Sequence, residues 1–215
     1  MKVFTSPHHQ RRLFGFTLIE LMVVIAIMGV LAAIGIGNHR RNIARTNVSQ
    51  EMERFGGAVR EVPALAQSSG RFVYNNRTLK TDYDKWKSSD PSTVSNNIAQ
   101  GSFVWRIYKD GKIVSQGFMG SSDTIRLSCS AGFTQYNNEA EGSTQGVWVG
   151  LYRADQVAQS PSSSSPVAAI IYRPNGTPFI DGKVILDHYE GDSFHKGVEI
   201  NFDKMGGVNE RAHKK

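Results

Sequence analysis

The chain has 215 residues, 40% of them hydrophobic, and its 25 Lys and Arg outnumber its 19 Asp and Glu for a formal net charge of +6. Lys2, Arg11 and Arg12 supply half of that surplus within the first fifteen residues, so the remainder is only mildly basic and does not by itself call for nucleic acid. The single cysteine, Cys129, excludes an intrachain disulfide and a two-cysteine zinc site; in its alternating apolar segment it reads as a small buried hydrophobe.

The first element is an apolar run of 21 residues, Phe16 to Ile36, in which Glu20 is the only ionisable group. As a helix rising ~1.5 Å per residue it would span ~30 Å, the thickness of a bilayer core. A secretory signal peptide would have a shorter apolar core followed by a cleavage site. Here the small residue that could mark a cut, Gly15, stands before the run. Cutting there removes a basic leader and leaves the helix in place, with Phe16 first and Glu20 fifth. An unpaired carboxylate at the edge of a bilayer costs a few kcal/mol. It is kept either by snorkelling to the headgroups or by meeting a cation, such as the new α-amino group of a neighbouring copy. In the second case the acid is a register mark for assembly.

The stretch "RRLFGFTLIELMVVIAIMGVLAAIGI" (11–36) resembles the class III signal of type IV pilins and type II secretion pseudopilins. The resemblance implies that a prepilin peptidase cuts after Gly15, that the same enzyme N-methylates Phe16, and that Glu20 assists entry into a filament. It also implies a single pass through the inner membrane with a periplasmic C-terminal domain, and other pilins as partners through the N-terminal helix. Gly37 stands where many major pilins carry a proline; glycine is also a weak helix former, ~1 kcal/mol worse than Ala.

Helical spacing continues beyond the membrane run. Ile43, Val48, Met52, Phe55, Val59 and Val62 recur at mostly three- and four-residue intervals between charges. We expect one helix from about Thr17 to about Ala66, stopped by Gly70 and softened by Gly56-Gly57 and Pro63. Its amphipathic second half needs a partner surface, and a C-terminal sheet supplies it. A polar loop is expected over 80–97. Short alternating runs follow: a hairpin around Lys109-Asp110-Gly111, then "TIRLSC", "GVWVGLY", "PVAAIIY", "KVILDHY" and "GVEINF", with a serine-rich loop at 159–166. The expectation is an α+β chain of seven or eight antiparallel strands packed on a long N-terminal helix. Its regions are a leader (1–15), a membrane and assembly helix (16–37), an amphipathic continuation (38–70) and a β-rich head (71–215).

Within the head, "AAIIYRPNGTP" (168–178) and the closing "VEINFDKMGGVNE" resemble the late strand-and-turn segments of H-type pseudopilins and of FimT- and FimU-like minor pilins. That resemblance implies a minor pilin. Its runner-up implication is a FimT-like DNA-binding subunit, with Arg211, Lys214 and Lys215 of the C-terminal tail as the contacts. The arginine-bearing motif that reading needs is missing around Gly206-Gly207, so the tail reads as solvated and nucleic acid is not an expected partner. No enzyme is expected: there is no Gly-x-Ser-x-Gly, His-Glu-x-x-His or P-loop. No cofactor or metal is assigned either, since Asp82, Asp84 and Asp90 lack the ligand spacing of a calcium loop.

Overall fold

The computed structural model describes residues 17–73, 93–120, 124–135, 140, 143–159 and 165–214. Asp82, Asp84 and Asp90 lie outside them. The chain falls into two compact units, Met1–Asn42 and Ile43–Lys215. A single helix, α1 (Leu18–Ser69), contributes its first part to one and its remainder to the other. It ends where Gly70 takes a left-handed φ of 61° and donates its N–H to the Ala66 carbonyl at 3.1 Å. That conformation suits glycine at a helix C-cap, and it puts the end three residues past the expected one. In the first unit, every residue from Leu18 to Ile34 is exposed.

In the second unit α1 buries Val48, Met52, Phe55, Val59, Val62 and Ala66. Spacings of four and three residues place these on one stripe. The head adds nine strands among the described residues: β1 (Val94–Gly101), β2 (Phe103–Lys109), β3 (Lys112–Met119), β4 (Thr124–Ser130), β5 (Val147–Arg153), β6 (Ala168–Ile171), β7 (Gly182–Glu190), β8 (Ser193–Phe202) and β9 (Val208–His213). Two short helices, α2 (Ala131–Gln135) and α3 (Ala154–Gln159), sit between strands. One sheet runs β1-β4-β7-β8-β9 and the other β3-β2-β5-β6; all pairs are antiparallel. The fold is therefore α+β.

The inner faces follow the period of two. Trp105 and Ile107 of β2 pair across to Leu151 and Val149 of β5, while Leu127 and Cys129 of β4 pair with Leu186 and Val184 of β7. All are buried in one core with the α1 stripe. Phe55 meets Trp105 with ring centroids 5.8 Å apart. Cys129 is buried as expected, and burial pushes its thiol up to about 12.

The β2–β3 hairpin turns at Asp110 and Gly111, with φ of 49° and 76°, the pair of positive angles that a two-residue hairpin requires. Asp110 Oδ1 also accepts Ser69 Oγ at 2.8 Å and the Gly146 N–H at 3.0 Å, which ties the helix end and a distant loop to this turn. Burial pushes the Asp110 carboxyl up. The hydrogen bonds from Ser69 and Gly146, with the charges of Arg71 and Lys109, outweigh that and hold it below the usual range. The segment 168–178 forms β6, a bridge between Tyr172 and Pro178, and a turn at Gly176 (φ 84°). A Cβ at Gly176 would stand 2.8 Å from the Pro63 carbonyl oxygen, so this glycine permits contact with α1.

Three expectations are corrected. Among the described residues the strands number nine, not seven or eight. β1 begins inside the supposed 80–97 loop: it carries few apolar residues, and pairing with the buried β4 orders it. Residues 209–213 of the tail expected to be solvated lie in β9, an edge strand held by β8.

The capped assembly helix and the C-terminal cations

The residues expected to be processed, Gly15 and Phe16, lie outside the described residues. Glu20 sits in the first turn of α1. Thr17 precedes the helix, and its carbonyl accepts the first helical N–H, that of Leu21, at 3.2 Å. The Glu20 N–H donates to Thr17 Oγ1 at 3.3 Å. In return Glu20 Oε2 accepts the Thr17 N–H at 2.8 Å and its hydroxyl at 2.9 Å. This is a reciprocal capping box, in which Thr-x-x-Glu satisfies donors that the first turn leaves orphaned. The signal for it stands in "FTLIEL", and Thr17 is the residue that a search for outward partners of Glu20 passes over.

The box explains how an acid stands beside an apolar run. In a medium without water an orphaned backbone N–H is costly, and here the carboxylate and the cap satisfy one another. Both bonds accepted by Glu20 end on Oε2. A carboxylate has acceptor sites on both oxygens, so capping and pairing with an amine from a neighbour are compatible. After Glu20 the exposed run offers only apolar side chains: Leu21, Met22, Val23, Val24 and Ile25 are all open. Among the described residues no helix is long and apolar enough to cross a membrane. The continuous run with described side chains, 18–34, would reach ~26 Å at ~1.5 Å per residue, short of the ~30 Å of a bilayer core.

Of the C-terminal cations, Arg211 is turned to an acid of β8. Arg211 donates from Nε (3.0 Å) and Nη2 (2.6 Å) to Glu199 Oε1. Lys214 is exposed, and Lys215 lies outside the described residues. Burial pushes the Glu199 carboxyl up, but bonds from Arg211 and Asn201, with the charges of Lys183 and Arg211, hold it below the usual range. The sign follows: a carboxylate with a depressed folded pKa stabilises the fold above its unfolded value and loses that contribution as pH falls through the folded one. Acidification below about pH 4 should therefore weaken the fold through this pair. Unfolding midpoints followed against pH should show an acid limb that Glu199→Gln flattens; an unchanged limb in the variant would remove Glu199 from the account.

Comparison with known proteins completes the picture. Residues 11–36 match the family described as the prokaryotic N-terminal methylation motif, a stretch that contains Gly15, Phe16 and Glu20. The chain is 46% identical over 109 residues to a fimbrial protein of Pseudomonas aeruginosa, covering 50% of this chain and 69% of that protein. It is 28% identical over 134 residues to the type IV major pilin protein PilE1 of Neisseria gonorrhoeae, covering 62% and 67%. With the type IV major fimbrial protein FimA of Dichelobacter nodosus it shares 57% identity over 42 residues, 20% of this chain and 27% of that one. No solved structure matches the chain. The methylation motif at the start of an open apolar helix, with 46% identity over 69% of a fimbrial protein's length, places the chain in the type IV pilin-like family, whose members are filament subunits and not enzymes.

Proposed function

We propose that the chain is a minor pilin-like subunit of a type IV pilus or a type II secretion pseudopilus, added near the filament tip. In this reading residues 1–15 are the leader, cut after Gly15, and the same peptidase methylates Phe16. Residues 16–37 hold the precursor in the inner membrane in a single pass, with 38–70 continuing the helix and the head, 71–215, in the periplasm. The observation that carries the reading is the exposed apolar stretch of α1 from Leu18 to Ile34. Water disfavours so many open aliphatic side chains, by ~25 cal/mol per Å². Lipid and then the helices of other subunits supply cover. The minor role is supported by the likeness of 168–178 to minor pilins, and by a lone cysteine where a stapling pair would need two.

Two of the relatives are major subunits by name, so stoichiometry decides. Purified native filaments should contain this chain at a small ratio to the main subunit; equal or greater abundance would make it a shaft protein, and absence would end the filament reading. Glu20→Val tests the mechanism. That variant should still insert in the membrane, since it removes a charge from an apolar run, yet should enter filaments poorly. Normal incorporation would leave Glu20 as a helix cap alone. The DNA-binding alternative has little support, because Arg211 is engaged by Glu199 within the head.

A further inference from the structure

Strand β9 is joined to the head differently from its neighbours. Its backbone pairs with β8 in unbroken register from Phe202↔Val208 to Gly197↔His213, but none of its residues is fully buried. Val208 is half-buried and Ala212 is exposed, whereas Val198, Ile200 and Phe202 beside them on β8 are buried.

Charge takes the place of apolar packing. Toward the helix, Glu210 accepts Arg60 Nη2 at 2.7 Å. Its carboxylate fills the notch at Gly56, where an added Cβ would strike it. On the opposite face Arg211 reaches Glu199, and His213 Nδ1 lies 2.7 Å from Asp187 Oδ1. The basic side chains are more open than the acids: the Arg211 side chain is 69% exposed over a Glu199 at 8%, and His213 is 25% exposed over an Asp187 at 7%. Every ionisable residue of β9 is thus spoken for, once by α1 and twice by the inner strands. The remaining hold is the ladder of backbone hydrogen bonds and the packing of Val208 against the core.

We propose that β9 is an ion-paired strap across α1 and the outer sheet, one that opens with rising ionic strength while the rest of the head stays folded. Salt weakens ion pairs whose basic partners stand in solvent, and leaves apolar burial intact. The acids make the opening cooperative. If one basic partner is lost while β9 stays in place, a covered carboxylate loses part of its compensation. If the whole strand leaves, Glu199 and Asp187 return to water together. Opening uncovers the edge of β8 and the Gly56–Arg60 stretch of α1.

Hydrogen exchange on the full chain in an uncharged detergent tests the strap. Between about 20 mM and about 500 mM salt, amides of 208–213 should exchange roughly tenfold faster, with those of β4 and β7 unchanged. Arg60→Gln should reproduce that loosening at low salt, although residue 60 is remote from β9 in sequence. A Val208→Ala variant separates the charge contribution from packing, because its loosening should persist at every salt concentration. If β9 exchanges at the same rate at both salt levels, or loosens only together with β4 and β7, the strap is refuted.

Discussion

Replacing Gly15 with glutamate should leave residues 1–15 on the chain and abolish its entry into filaments. The proposed cut falls between Gly15 and Phe16, and a site shaped around a residue without a side chain cannot seat a charged one. The consequence extends beyond size. While the leader is attached, the Phe16 nitrogen is a neutral amide, and Glu20 of a neighbouring copy has no cation to meet at that end. The capping box does not depend on the cut, since it uses only Thr17 and Glu20. The variant should therefore keep its helix while failing at assembly. Intact-mass measurement is the check. Wild-type protein from filaments should begin at Phe16 with one added methyl, and the variant should carry the full leader and be absent from filaments. A wild-type filament protein that retained its leader would overturn the processing scheme.

The largest expected loss of stability comes from Phe55→Ala. Phe55 is fully buried on the α1 stripe, against Trp105 of β2. Removing a buried aromatic ring costs about 3–5 kcal/mol, through lost transfer energy and the cavity left behind. At ~2–4 °C per kcal/mol for a unit of this size, Tm should fall by ~6–20 °C. Ile25→Ala, in the exposed part of α1, should leave the melting of the head unchanged. Thermal unfolding of the full chain in detergent decides, and a loss below about 1 kcal/mol at Phe55 would mean that α1 is not a main wall of the core.

The amphipathic half of α1 was legible because its apolar residues recur with the helical period. Ile43 is the exception and is exposed. It stands five residues before Val48, about 140° around a helix with ~3.6 residues per turn, so it points away from the stripe. The Asp110-Gly111 hairpin was legible for a local reason, two residues that tolerate positive φ between alternating runs. β9 was not legible. Its alternation is of charge, and its partners Arg60, Asp187 and Glu199 come from three other elements. At the assembly site the sequence singled out Glu20 but assigned it only partners outside the chain, while the structure adds Thr17. Gly15 and Phe16 rest on the motif alone.

Cys129 has a use that follows from its seclusion. It lies between β1 and β7 in the middle of a sheet, with no water contact. Only a thiolate reacts readily with alkylating or oxidising reagents, and burial leaves almost none at neutral pH. Oxidants therefore find no handle on the closed head. The same sulfur becomes reactive once the sheet parts. Its labelling rate is a clock for opening at the centre of the molecule, built into the native sequence.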